Sequence, residues 1–321
     1  MLCHDHGGEW AVRMEVSGQT IALLKQLAPK EGYTLSMLDG VRFMRADHPL
    51  PRTPVLYEPS IVIVCQGRKR GFLGAESFVY DAHHYLVLSV PLPFSTETEA
   101  SEAEPMLAVS LRLDMATIAD LVLTLDQDRV PEIAAPAGII STPLDEELEN
   151  ASLRLLKALA HPIDARILGP AIVREICFRV LRGEQGAVLR AALRQTGQFG
   201  RIARALQRIH ADFAEALDVR LLAEEVGMSL PAFHAHFKAV THTSPIQYLK
   251  SIRLHQARLL MIRDDLTAAS ASAKVGYESP SQFSREFRRF FGRSPGDEKR
   301  TMQFAFSLMP AANLSRFVVA H

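Results

Sequence analysis

Cysteine is scarce: the 321 residues hold three, Cys3, Cys65 and Cys177. They are odd in number, far apart and without metal-type spacing, so neither a disulfide framework nor a cysteine-built zinc site is expected. A reducing compartment suits them. No run of about 18 uncharged apolar residues occurs, so no membrane-spanning helix is expected. The first ten residues carry His4, Asp5, His6 and Glu9 where a secretory leader would be basic and then apolar. A cytoplasmic protein with no membrane partner is the expectation. Also missing are a phosphate-gripping glycine loop, a nucleophile beside its base and a paired-carboxylate site. An enzyme reading therefore has no named catalytic residues to stand on, and no cofactor is expected.

Apolar residues make up 48% and charged residues 22%, ordinary values for a folded globular chain. The length exceeds what one hydrophobic core usually serves, which favours two domains. The formal net charge of zero hides an asymmetry. Residues 1–200 hold 19 basic and 25 acidic side chains (net −6), and residues 201–321 hold 17 and 11 (net +6). A basic C-terminal portion is suited to a polyanion, because phosphate neutralisation supplies much of protein–DNA affinity.

From Pro54 to Leu113 short β-branched or aromatic runs alternate with turn residues: Ser60 to Cys65, Tyr85 to Val90 and Met106 to Leu113. This spacing predicts a β-sandwich or small barrel. Arg68-Lys69-Arg70, between Gly67 and Gly71, reads as a solvated turn, with anion binding as the alternative. His83 and His84 are adjacent on a predicted strand, so only one can face an interior. No His-x-His pair with a following glutamate occurs in this half, so no metal site is expected. His4 and His6 make such a pair, but in a tail expected to be unstructured. After Pro143 the period changes. One helix should begin near Asp145, and a second should run from about Ala165 to Leu181, as a dimer interface or as a cover for the barrel. Gly183, Gly186, Gly197 and Gly200 bracket a linker or short helix, and the chain is helical from Arg201 until the pattern fades after Phe306.

Within the C-terminal portion one pattern occurs twice, about 50 residues apart: Val226-Gly227-Met228-Ser229 leading to Phe233 and Phe237, and Val275-Gly276-Tyr277-Glu278-Ser279-Pro280 leading to Phe283 and Phe287. Each part has a physical task in a helix-turn-helix. Gly227 and Gly276 follow a short apolar helix, where a left-handed residue is easiest for glycine. Ser229 and Ser279 can cap the next helix, and Pro280 takes the favoured first helical position. Phenylalanines four apart share one face and anchor that helix to its bundle. The positions between them face outward: Ser281, Gln282, Ser284, Arg285 and Arg288 in the second copy, and Leu230, Ala232, His234, Ala235 and Lys238 in the first. Such side chains suit base edges and phosphates. Lys250 and Arg253 either touch phosphates or form a charged outer face. A helix from Pro245 through Ile262 separates the copies and would hold the two recognition helices about one DNA turn, roughly 34 Å, apart.

These residues resemble the AraC/XylS-type transcription regulators. The likeness rests on Leu221-Leu222-Ala223, Ser244-Pro245-Ile246-Gln247-Tyr248, Arg253-Leu254, and the stretch from Val275-Gly276-Tyr277 to Phe290-Phe291-Gly292-Arg293-Ser294-Pro295. The N-terminal half is similar to the cupin-type domain of one subgroup, through Leu56-Tyr57-Glu58-Pro59-Ser60, Cys65-Gln66-Gly67-Arg68-Lys69 and His84-Tyr85-Leu86. Two positions depart from the family pattern, Ala235 where relatives often carry arginine and Ala271 where they carry a larger aliphatic. The resemblance implies an α+β chain. A cupin-like effector and dimerisation domain would span residues 1–182, a linker 183–200, a DNA-binding domain 201–300 and a tail 301–321. It implies double-stranded promoter DNA as partner, a small-molecule effector, contact with RNA polymerase, and a homodimer. A cupin-type metalloenzyme with a helical appendage is the rival reading.

Overall fold

The computed structural model describes residues 6–125, 138–183, 186, 189–190 and 197–307. His4, most of the expected linker and the C-terminal residues from 308 onward lie outside them. Ten strands are described: β1 (Gly32–Leu35), β2 (Val41–Ala46), β3 (Leu50–Tyr57), β4 (Ser60–Gln66), β5 (Arg68–Leu73), β6 (Glu76–Asp81), β7 (His84–Leu88), β8 (Leu92–Glu99), β9 (Met106–Arg112) and β10 (Ile139–Pro143). They form two antiparallel sheets, one of six strands in the order β1-β2-β9-β4-β7-β10 and one of four in the order β3-β8-β5-β6. The helices of this half are α1 (His6–Leu27), α2 (Met115–Leu125), α3 (Glu146–Leu159), α4 (Pro162–Ile167) and α5 (Gly169–Arg182).

The six-stranded sheet is buried on both faces. Val62, Val64, Leu86, Leu88 and Ala108 point toward the other sheet, while Ile61, Ile63, Val87, Leu107 and Val109 pack with residues of α1, α3 and α5. Each such aliphatic side chain contributes about 1.5–3 kcal/mol on leaving water. The four-stranded sheet is buried on one face, so β8 alternates between buried and partly exposed residues, with Leu92, Phe94, Thr96 and Thr98 inward.

Three expectations are corrected. The segment Arg68-Lys69-Arg70 is strand, not a solvated turn. Gly67, at φ +78°, reverses the chain immediately before it, and Arg68 to Leu73 pair with β6 while Arg68 to Phe72 pair with β8. Arg68 and Arg70 then face outward toward Asp81 and Glu99, and Lys69 is buried at 5% exposure. The single helix expected over 165–181 is two. Pro170, with no N–H and a ring that clashes with the preceding turn, starts α5 anew after Leu168. The N-terminal tail is helical from His6. Asp145 caps α3 as expected, accepting from the Leu148 N–H at 2.7 Å.

The remaining helices are α6 (Gln198–Ala211), α7 (Val219–Glu225), α8 (Leu230–Thr241), α9 (Pro245–Arg263), α10 (Ala268–Lys274), α11 (Pro280–Phe291) and α12 (Pro295–Ser307). Phe199, Leu206, Phe233, Phe237 and Ile252 build a core that is continuous with the inter-sheet core, while Ala271, Val275, Phe283 and Phe287 belong to a separate one. Polar contacts that join the halves include the Tyr248 hydroxyl, which donates to the Pro91 carbonyl at 2.6 Å, Arg258, which reaches the Pro54 carbonyl at 3.5 Å, and His242 Nδ1, 4.0 Å from the Glu76 carboxylate.

Candidate nucleic-acid interface

The two repeats fold into the same turn. Helices α7 and α10 end on Gly227 (φ +67°) and Gly276 (φ +82°). The next N–H reaches back over the turn in each, Met228 to the Ala223 carbonyl and Tyr277 to the Ser272 carbonyl, both at 2.9 Å. This six-to-one bond satisfies a carbonyl that the helix end would otherwise orphan. An arginine from a neighbouring helix then holds each glycine carbonyl: Arg201 Nη1 that of Gly227 at 2.8 Å, and Arg253 Nη1 that of Gly276 at 3.0 Å. Arg253 also donates to the carbonyls of Phe213 and Glu215, both at 2.7 Å. Three of its five N–H donors are thus committed to backbone carbonyls, so it braces the turn and is not a free outer charge.

The second helices start differently. Ser279 accepts from the Gln282 N–H at 3.3 Å, with Pro280 in the first turn of α11. Ser229 occupies the equivalent position before α8 but makes no side-chain capping bond, so the expected cap is only half realised there. The phenylalanine pairs behave alike. Phe233, Phe237, Phe283 and Phe287 are all fully buried, and the ring centroids are 5.5 Å apart within each pair. Ala271 is likewise fully buried.

This anchoring turns the intervening side chains outward. Ser281, Gln282, Arg285 and Arg288 on α11 are exposed, as are His234, Ala235 and Lys238 on α8. Ser284, Leu230 and Ala232 are half-buried. Leu230 and His234 form one wall of an open cleft of about 600 Å³, with Arg220, Ile246 and Leu249 across it. Arg289 adds an exposed cation to α11.

Lys250 proves to be a strut. Its Nζ donates to Glu286 at 2.7 Å, tying α9 to α11. The Glu286 carboxylate also accepts from the Tyr277 hydroxyl at 2.8 Å and from Gln282 Nε2 at 3.2 Å. Burial works to raise its pKa, but the hydrogen bonds from Lys250, Tyr277 and Gln282 outweigh that and hold it low. Glu286 is thus an ionised buttress beneath the outward face, and it orients Gln282. Sequence patterns do not reveal it, since its lysine partner lies 36 residues away.

Among the polar side chains buried in the second unit are Arg258 and His255. Arg258 pairs with Glu298 at 2.8 Å and lies over the Phe291 ring at 5.0 Å. His255 stands edge-on to Phe290 and Phe291, both at 5.3 Å, and burial lowers its pKa to about 3. In the β-rich half His84 Nδ1 is engaged by Asp81 at 2.8 Å. Among the described residues no three His, Cys, Asp or Glu side chains converge as a metal site requires. No described helix is long and apolar enough to cross a membrane.

Comparison with known proteins agrees with this geometry. Residues 37–188 match the family described as AraC-type transcriptional regulator N-terminus, and residues 222–301 match a helix-turn-helix domain family. The transcriptional regulator AlkR of Acinetobacter baylyi is 35% identical over 94 residues, covering 29% of this chain and 31% of its own length. The virulence regulon activator VirF of Yersinia enterocolitica is 26% identical over 169 residues, 52% of this chain and 62% of its own. The chain thus spans about a third of the length of the relatives it matches first, 31% and 33%. Among solved structures, unsaturated fatty acid bound ToxT from Vibrio cholerae shares the fold with a TM-score of 0.54 at 10% identity, over 79% of this chain and 94% of that one. With an AraC-type N-terminal domain followed by a helix-turn-helix domain, the chain belongs to the AraC/XylS-type transcription regulators.

Proposed function

We propose that this protein is a sequence-specific regulator that binds double-stranded promoter DNA through α8 and α11. Residues 1–182 form its effector and dimerisation part, 183–200 the connection, 201–300 the DNA-binding part and 301–321 a tail. The observation that carries the reading is the outward, exposed placement of Ser281, Gln282, Arg285 and Arg288 on a helix whose opposite face is pinned by Phe283 and Phe287. None of the four is covered by the β-rich half. In the first unit His234 and Lys238 are the contacts, with Leu230 and Ala232 in van der Waals reach of the groove and Ser284 completing the second. Helix α9, 19 residues and about 28 Å long, sets the separation of the two reading heads. A small effector in the β-rich half alters how the heads are presented, a homodimer doubles the sites read, and RNA polymerase is the onward contact.

The test is selection of bound fragments from a genomic DNA library with the full chain, followed by footprinting. Arg285→Ala with Arg288→Ala should abolish the footprint while circular dichroism stays that of wild type, since each base contact carries about 1–3 kcal/mol of discrimination. An unchanged footprint and affinity in the double variant would refute the reading.

A further inference from the structure

The space between the two sheets holds a cation without an anion. Lys69 points inward from β5 at 5% exposure, and its Nζ has one hydrogen-bond partner among the described residues, the Tyr57 hydroxyl at 3.3 Å. An ammonium carries three donors, so two are unused. Its cross-strand neighbours are Tyr80 on β6 and Thr98 on β8, both buried. The Tyr80 hydroxyl is fully buried beside that of Tyr57, with which it interacts but makes no hydrogen bond of normal geometry. Tyr33, inward from β1, completes a group of three phenols around the lysine and interacts with Tyr57. The nearby guanidinium of Arg42 is already paired with Glu58 at 2.9 Å.

A buried cation with no counter-ion is costly, and a buried hydroxyl whose polar company is another phenol in poor geometry is incompletely satisfied; the two are rarely kept side by side without a reason. An anion placed between them satisfies both. The walls decide its character. Met44, Phe78 and Phe94 surround the polar group, and Phe94 stands edge-on to Tyr57 at 5.0 Å. One compensating positive charge amid aromatic side chains suits a singly charged acid on an apolar body, whereas a phosphate dianion would need a second cation.

We propose that the inter-sheet space binds a small apolar carboxylic acid, its carboxylate held by the Lys69 ammonium and the hydroxyls of Tyr57 and Tyr80. This rests on the reading of the β-rich half as an effector domain and names the effector's chemistry. It also supplies a route to the DNA-binding half. Tyr57 pairs with Leu92 in the β3–β8 ladder, and the residue before Leu92 is Pro91, whose carbonyl receives the Tyr248 hydroxyl. A carboxylate that draws Tyr57 toward itself pulls on the strand end to which α9 is tethered. Burial lowers the Lys69 pKa in the empty protein, and a carboxylate bound beside the ammonium acts in the opposite direction.

The experiment titrates the full chain with octanoate, benzoate and 1-naphthoate, each beside its corresponding alcohol, by calorimetry and thermal shift. At least one acid should bind, with its alcohol at least tenfold weaker. Lys69→Met should abolish acid binding yet melt no lower than wild type without ligand, because it removes an uncompensated buried charge. Tyr80→Phe, which sacrifices only a poorly aligned contact with Tyr57 in the empty protein, should melt close to wild type and weaken the acid by about five- to tenfold. Arg70→Met, on the outer face of the same strand, should bind as wild type. If none of the acids binds, if acid and alcohol bind equally, or if both Lys69→Met and Tyr80→Phe bind the acid as wild type does, the inference is overturned. Loss of the genomic footprint in unliganded wild type would instead overturn the regulator reading and leave the titration unaffected, so the two failures are distinguishable.

Discussion

The Tyr248 hydroxyl, donating to the Pro91 carbonyl at 2.6 Å, joins residues 157 positions apart and links the two halves of the chain. His210 Nε2 lies 2.8 Å from the same oxygen. The hydroxyl proton is committed to Pro91, so the imidazole must be the donor, which fixes its Nε2–H form. Burial brings the His210 pKa to about 4, so the ring is neutral near pH 7. Tyr248→Phe leaves both the carbonyl and the imidazole N–H unsatisfied. It should lower unfolding free energy by about 1–3 kcal/mol in urea melts and speed amide exchange at the start of β8. Wild-type stability and exchange in the variant would show that the link contributes nothing.

Gly276 is not equivalent to a glycine that only ends a helix, whereas at Gly227 an added Cβ would meet nothing nearer than Arg201 Nη1 at 3.9 Å. A Cβ on Gly276 would lie 2.2 Å from the Ala214 carbonyl oxygen at φ +82°, whereas Gly292, at φ +77°, has nothing within 4 Å. Gly292→Ala should therefore cost the left-handed penalty alone, about 1–2 kcal/mol. Gly276→Ala adds steric overpacking of about 1–3 kcal/mol and should open the second unit first. Paired thermal melts measure the difference. Equal losses would mean that the backbone around Ala214 yields freely.

What was readable in the sequence follows from where the constraints lie. Strands β4, β7 and β9 were legible because both their faces are buried, which leaves continuous runs such as Ile61-Val62-Ile63-Val64. Strands β5 and β8 were not, since their inward positions include Lys69, Thr96 and Thr98, polar side chains that read as surface. The helix-turn-helix units were legible because glycine, serine and the phenylalanine spacing act within a dozen residues of one another. The bracing role of Arg253, and Glu286 altogether, escaped notice because their partners are brought near only by folding, Arg253 to Phe213 across 40 positions and Glu286 to Lys250 across 36. The polar residue that the β-rich half buries most deliberately, Lys69, was hidden by the two exposed arginines flanking it.

Two buried histidines give the stability a pH dependence of definite sign. In the folded chain burial lowers His210 to about 4 and His255 to about 3, from an ordinary value of 6.5. Arg258 beside His255 acts in the same direction. The unfolded chain therefore binds more protons between about pH 6.5 and these lowered values. Stability is complete above that window and falls as pH drops through it, by up to about 1.4 kcal/mol per histidine per pH unit. The carboxylates held low, such as Glu175, add their loss only at still more acid pH, near and below their ordinary range. His255→Leu should flatten the fall between pH 6 and 5 by about half in urea melts. An undiminished slope would place the sensitive group elsewhere.

The Lys250–Glu286 pair predicts a DNA-binding effect at positions that touch no DNA. Glu286 lies on α11 beside Arg285, and its side chain is 14% exposed with its charge partly balanced by Lys250. Lys250→Met removes that balance and turns a negative charge toward the phosphates that the arginines are to meet. Affinity for the selected DNA should fall several-fold, since a like charge at 5–10 Å costs about 0.4–1 kcal/mol even in water-like surroundings. If electrostatics is the cause, Glu286→Gln in the Lys250→Met background restores binding although it repairs no strut. If the strut matters through geometry instead, the double variant stays as weak as the single one, because Tyr277 and Gln282 have then lost the carboxylate that oriented them. Filter-binding measurements at two salt concentrations separate the cases further: an electrostatic deficit shrinks as salt rises, and a geometric one does not.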